Sequence, residues 1–260
     1  MIPASFPIRI LLATLVFTII SCKEEVPVPP PTPKPAPAPA PKPEARKPDT
    51  LRFDVVAMKG FSSLKELDAK LGPEKMFMLL KVNRLDRAHI RDNDTLVVPT
   101  AFDERLSPYP ASLEVAREIP KLLIISRRAQ VFAAYDSGRL IRWGPTSTGK
   151  KKTPTPDGLY AANWKKDTAI STVDPSWILP WCVNIHNLEG ISLHQFDLPG
   201  YPASHSCIRL LVEDARWIFD WVYTWRLTKD AREIRAHGTP VIIFRRRRTS
   251  ARRSTRRRPT

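Results

Sequence analysis

The sequence predicts a mainly β domain with one or two helices, preceded by a small α+β segment. Three observations predict it. Between Lys121 and Phe244, short apolar runs rich in β-branched and aromatic residues alternate with turn residues, the signature of successive strands. Between Ser63 and Val82, helix start and stop signals are interrupted by Gly72 and Pro73. Both ends of the chain have compositions that cannot bury a core, yet 260 residues at 42% hydrophobic content leave ample material for one between them.

Residues 1–21 carry one basic residue, Arg9, followed by a mostly apolar run from Ile10 to Ile20. That run is too short to span a bilayer and reads as a secretory signal. Ser21-Cys22 resembles a lipobox, in which Cys22 is lipidated and anchors the mature chain to a membrane. The expected location is therefore the periplasm or cell envelope, and Lys23 after the cysteine favours the outer membrane in a two-membrane host. Residues 23–50 form a proline-rich linker, with 11 of the 27 prolines between Val26 and Pro48. At ~3.1 Å per residue, the 23 residues from Val26 to Pro48 would reach roughly 70 Å.

Nine of the sixteen net positive charges lie in Arg245–Thr260, which leaves +7 for the rest. Residues 246–260 are expected to be a disordered tail. In an exported protein its partners are anionic envelope polymers or lipid head groups, and no nucleic acid is expected.

Residues 51–106 read as a small module. A strand at Phe53–Ala57 is followed by a Ser63/Glu66 capping pair that opens a helix running to Leu71. Gly72 and Pro73 stop it, a second helix covers Glu74–Val82, and a strand covers Thr95–Val98. This order, with LGPEKMFMLLKVNRLDRAHIRDNDTLVVP, resembles the second half of a LysM peptidoglycan-binding module.

Residues 119–245 carry the β pattern. Strands are expected at Leu122–Ile125, Ala129–Tyr135 and Leu140–Trp143, with Asp136, Ser137 and Gly138 as a three-residue hairpin loop. Further strands are expected at Gly158–Asn163, Val183–His186, Gly190–His194 and Pro240–Phe244, and one helix at Val212–Trp225. Trp217, Trp221 and Trp225 would share one face of that helix, where packing is the default role.

The chemistry concentrates in Ser204-His205-Ser206-Cys207-Ile208-Arg209, with His194 thirteen positions before the cysteine. A thiol needs a neighbouring base or imidazolium to act as a nucleophile. Both His194 and His205 are candidates from position alone. Cys182, between Trp181 and Val183, reads as a buried core residue. His194, His205 and Cys207 would also suit zinc, but no second spaced ligand set or obvious base accompanies them, so no metal is expected. A papain-like NlpC peptidase would place its cysteine before its histidine, the reverse of the order here. A non-catalytic wall anchor is the remaining alternative.

HQFDLPGYPASHSCIRL resembles the signature of the L,D-transpeptidase (YkuD-type) catalytic domain, and the STGK…TPTP element and GTPVIIF match its other motifs in order. The resemblance implies a β-sandwich, no cofactor, and peptidoglycan stem peptides as partners. It makes Cys207 the acyl-forming nucleophile and His194 the general base, oriented by the carbonyl of Gln195. His205 shapes the site, and the N–H groups of Ser206 and Cys207 are the oxyanion donors. Arg209, with Ser204 beside it, is the candidate for substrate binding, or Arg209 braces the loop.

The implied reaction attacks a tetrapeptide stem ahead of its terminal D-alanine and forms a thioester. An amine then resolves it, giving a 3→3 crosslink, protein anchoring or D-amino acid exchange, or water does so as in a carboxypeptidase. Two positions depart from the family pattern: Ser206 and Gln195 each stand where glycine is usual. If position 206 needs a positive φ, serine there costs on the order of 1 kcal/mol.

Overall fold

In the computed structural model the described residues are 51–57 and 64–245. The signal segment, Cys22, the proline-rich stretch, Ser63 of the expected capping pair and the tail from residue 246 lie outside them.

Strand β1 (Phe53–Ala57) pairs antiparallel with β2 (Thr95–Pro99), and α1 (Leu64–Asn83) packs against β2 through Leu96 and Val98. As the breaker residues imply, α1 is two helices: Gly72 takes φ 71 and ψ 171, and Pro73 opens the second piece, where its missing N–H costs nothing. The small core here gathers Leu67, Met76, Leu79, Leu80, Leu85, Ile90 and Leu96, and Leu198 and Leu211 join it from far along the chain.

The rest is a sandwich of two sheets, as expected. The first runs β5-β4-β3-β13-β6 and the second β10-β9-β8-β7. Their strands are β3 (Lys121–Ser126), β4 (Val131–Asp136), β5 (Arg139–Pro145), β6 (Gly158–Ala161), β7 (Trp164–Ile170), β8 (Ile178–His186), β9 (Ile191–Gln195), β10 (Ile208–Leu210) and β13 (Pro240–Phe244). Two small strands, β11 (Arg226–Leu227) and β12 (Ile234–Ala236), pair outside the sandwich. Leu123, Ile125 and Phe132 from one sheet meet Val183, Leu193 and Ile208 from the other, and α2 (Val212–Trp221) closes the core with Ala215 and Ile218.

Two local readings need correction, and one strand carries no signal in the sequence. The first hairpin turns on two residues rather than three: Asp136 pairs with Arg139, and Ser137 and Gly138 take φ 46 and φ 76, the doubly positive pattern whose twist suits a tight hairpin. Strand β7 has no alternating apolar signal, because it is an edge strand with only Ala169 buried, and its backbone pairing with β8 decides its structure.

The expected helix to Trp225 stops at Trp221. Beyond it the backbone is claimed by other chain segments: Thr239 N–H donates to Tyr223 O at 2.8 Å, Tyr223 N–H donates to Thr239 Oγ1 at 2.9 Å, and Trp225 N–H donates to Ala162 O at 3.2 Å. The crossing is close enough that a Cβ on Gly238 would lie 1.9 Å from Ala162 O. Trp225 therefore leaves the aromatic face, while Trp217 and Trp221 stack at 5.1 Å and pack on the core.

Candidate active site

Parallel pairing of β9 with β10 builds the site. Ile208 lies opposite Leu193 and Arg209 opposite His194. Leu193 and Ile208 point into the sandwich core, so alternation sends His194, Cys207 and Arg209 to the other face. There they line one pocket with Ser204 and His205. Its apolar walls, Val173, Trp177, Leu179 and Phe196, were not singled out in the sequence. Val173 and Trp177 come from the β7–β8 connection and Leu179 from the start of β8, none of which carries a motif, while Phe196 lies within the signature that begins at His194.

His194 is 3% exposed. Its Nδ1 lies 2.9 Å from Gln195 O, the orientation the family resemblance implies. With that nitrogen donating, Nε2 is left as the acceptor. Burial pushes the imidazole down to about 4; the Gln195 carbonyl opposes this and Arg209 adds to it. Burial raises the Cys207 thiol, against lowering contributions from the Ser192 backbone and Arg209. The thiol is directed at Gly190 O, 3.6 Å away. At neutral pH the resting pair is thus a neutral imidazole and a protonated thiol.

His205 is held differently. Lys150 Nζ lies 2.9 Å from its Nε2, and its ring packs on Trp177 at 5.0 Å. Its Nδ1 is buried without a hydrogen-bond partner among the described residues. Burial, then Lys150 and Arg209, lower its pKa. Of the two imidazoles, His205 has the nitrogen that would take a proton already facing an ammonium group. The STGK element is in the sequence, but nothing in its spacing points to His205 as the partner of Lys150.

That element braces the whole cysteine loop. Ser147 and Arg209 exchange backbone hydrogen bonds, Ser204 N–H donates to Thr148 O at 3.1 Å, and Lys150 N–H donates to Ser204 O at 2.9 Å. Thr155 Oγ1 donates to Ser206 O at 2.7 Å and accepts from Gly149 N–H at 2.9 Å. The turn is so tight that a Cβ at Gly149 would lie 2.1 Å from Thr153 O.

With its carbonyl fixed in this way, Ser206 takes φ 93, a conformation that favours glycine. The conditional cost noted for serine at this position therefore applies. Gln195, by contrast, ends a strand with ordinary extended backbone, so its side chain is not a steric burden there.

Arg209 is held at the pocket wall. Its guanidinium lies over Phe196 at 4.5 Å and Nη1 donates to Asp197 O at 3.4 Å, while the side chain also lines the pocket. Ser204 is buried, and its hydroxyl donates to Cys207 O, which makes it a brace of the loop. Cys182 and Cys207 are both free thiols. Cys182 is buried as expected, and burial raises its thiol to about 11.

Fold and site together define a β-sandwich domain with a thiol and two imidazoles lining a half-apolar pocket. Residues 120–243 match the family model of the YkuD L,D-transpeptidase catalytic domain, and this part of the chain is a domain of that family.

Similar solved structures include an L,D-transpeptidase from Mycobacterium smegmatis (23% identity, 48% of this chain and 58% of that one, TM-score 0.39). Others come from Stackebrandtia nassauensis (20% identity, 57% and 62%, TM-score 0.41) and Xylanimonas cellulosilytica (23% identity, 53% and 64%, TM-score 0.41). The chain thus spans about three fifths of the length of these relatives. No curated protein matches it.

Proposed function

We propose that the protein is a peptidoglycan L,D-transpeptidase that works through a thioester on Cys207. The observation that carries this reading is the register of β9 and β10, which sets His194 and Cys207 on one face of the sheet, in one pocket. As the carbonyl carbon of stem residue three enters, His194 Nε2 takes the thiol proton and Sγ attacks. The tetrahedral oxyanion is received by the Ser206 and Cys207 N–H groups. Among the described residues, neither N–H donates to a backbone carbonyl. The C–N bond to D-alanine then breaks, His194 returns the proton to the leaving amine, and a thioester remains. An acceptor amine, deprotonated by the same imidazole, resolves it.

A neutral resting pair suits general-base catalysis, because His194 stays unprotonated across the neutral range. In this reading Arg209, which lines the pocket, meets a substrate carboxylate. The same reading makes the chain an envelope protein, tethered through lipidated Cys22 and its proline-rich spacer. It predicts that Cys22→Ala moves the protein from the membrane fraction to the soluble one.

The test is incubation of the purified protein with tetrapeptide muropeptides, with free D-alanine, product masses and intact-protein mass measured. Wild type should release D-alanine and carry an acyl adduct that Cys207→Ala lacks. Absence of both in wild type overturns the reading. Product masses separate 3→3 dimers, exchanged D-amino acids and hydrolysed tripeptides.

A further inference from the structure

The segment 196–206 joins the strand that holds His194 to the loop that holds Cys207, so whatever fixes it fixes the distance between them. Its far end is pinned by the STGK element: Ser147 Oγ donates to Tyr201 O at 2.7 Å and accepts from Ala203 N–H at 3.0 Å. Its near end is pinned from outside the catalytic domain. Leu198 is fully buried, and the cluster that buries it is the small core of residues 64–96.

Asp86 makes the connection twice. Its backbone N–H donates to Leu198 O at 3.0 Å, and its Oδ2 accepts from Leu198 N–H at 2.8 Å. Its other oxygen, Oδ1, is held by His89 through the backbone N–H at 3.0 Å and ring Nδ1 at 2.7 Å. The carboxylate is therefore fixed before it reaches across. The next residues seal the joint: Leu85 pairs with Pro199, and Gly200, at φ 93, lies where a Cβ would be 3.1 Å from Leu85 Cδ2.

We propose that Asp86 is a positioning residue for the Cys207–His194 pair, and that residues 51–106 serve the active site as its rear support. The proposal rests on the acyl-transfer reading above. From Leu198 the path to the chemistry is short. Asp197 O receives the Arg209 guanidinium, and Phe196 lies under that guanidinium and 5.9 Å from the His194 ring. A displacement at Leu198 reaches both the base and the cationic wall within two residues. Reacting groups tolerate little of this, since misplacement by about 1 Å costs on the order of 10²-fold in rate.

The experiment uses the full chain and three variants: Asp86→Ala, Asp86→Asn and Leu198→Ala. Three readouts are taken well below each variant's melting temperature: kcat and KM for D-alanine release, the rate of Cys207 alkylation by iodoacetamide, and the melting curve. Asp86→Ala should lower kcat about tenfold with KM within about twofold, and Asp86→Asn, which keeps one acceptor oxygen, should fall between it and wild type. Leu198→Ala should behave like Asp86→Ala.

If the variants melt earlier but keep the wild-type kcat and alkylation rate, Asp86 only stabilises the fold and the proposal is overturned. Should Asp86→Ala fail to fold, the other two variants carry the same expectation. If wild type releases no D-alanine, the acyl-transfer reading fails and the alkylation rate decides by itself. A change of about threefold or more supports the positioning role, and no change overturns it.

Discussion

His194 and His205 line the same pocket as Cys207, yet the two regions that hold them are built on different principles. His194 belongs to a strand in the middle of a sheet, and its ring is fixed by burial and one backbone carbonyl. His205 belongs to a loop fixed by a second loop, with a lysine on its ring and a strained serine beside it. The sheet holds an imidazole whose direction is set by the Gln195 carbonyl, as the proposed base would require. The loop supplies the shape of the pocket through contacts with the 147–155 segment. The two departures from the family pattern differ accordingly: serine at 206 sits on braced backbone whose φ of 93 favours glycine, whereas glutamine at 195 adds a side chain to ordinary strand.

The sharpest way to break this division is to exchange the roles of the imidazoles. His194→Gln should lower kcat for D-alanine release by about 10³-fold, and His205→Gln by about tenfold, in line with the loss of a general base against the loss of a neighbour. Equal losses for the two variants would remove the distinction.

Stability against pH separates them next. His194 falls in the folded state from the ordinary 6.5 to about 4. Its contribution is intact above pH 6.5, where both states are neutral. It is lost progressively as pH falls from 6.5 to about 4, because the unfolded chain takes a proton that the folded one refuses. The full span is worth about 3 kcal/mol. Denaturant unfolding of wild type should therefore weaken across that window, and His194→Gln should flatten the decline. A decline of the same slope in the variant would place the effect elsewhere.

The strained serine is the smaller matter. Ser206→Gly removes a side chain that is disfavoured at φ 93. It should stabilise the protein by about 1 kcal/mol, a melting temperature higher by about 3 °C. The acylation rate should stay the same or rise. A lower melting temperature would show that the serine side chain holds a contact worth more than the strain.

The sheet half of this comparison was largely legible in the sequence, and the loop half was not. Strand pairs with apolar alternation, the place of the first hairpin though not its two-residue loop, and the His194–Cys207 spacing follow from local pattern, because the sandwich core imposes a period on the residues that fill it. The Cys207 motif could even be separated from the reversed order of an NlpC peptidase. What pattern does not encode is which distant segments share a contact. Lys150 meets His205 across 55 positions, and Asp86 meets Leu198 across 112. The end of α2 at Trp221 escaped for the same reason, since its competitors for hydrogen bonds, Ala162 and Thr239, lie on other parts of the chain. Strand β7 escaped because an edge strand exposed to water needs no apolar alternation.

Lys150 offers the finest test, because it asks whether the loop keeps its histidine neutral by design of charge or by burial. The His205 imidazole is lowered first by burial, then by Lys150 and Arg209. Lys150→Met keeps the length of the stem, removes the ammonium from Nε2 and leaves the Trp177 face in place. The His205 pKa should then rise toward its ordinary value without fully reaching it, since burial and Arg209 persist.

NMR titration of the ring protons measures the shift directly. At neutral pH the expected effect on D-alanine release is only about twofold, the scale of one partly exposed charge contact. Below neutrality the effect should grow, because His205 in the variant begins to take a proton beside Cys207 while His194 stays neutral to about pH 4. An acid limb of activity that moves upward in Lys150→Met would assign that limb to the loop. An unmoved limb, with the His205 titration unchanged, would show that burial by itself sets the histidine, and that Lys150 contributes only its hydrogen bond to the shape of the pocket.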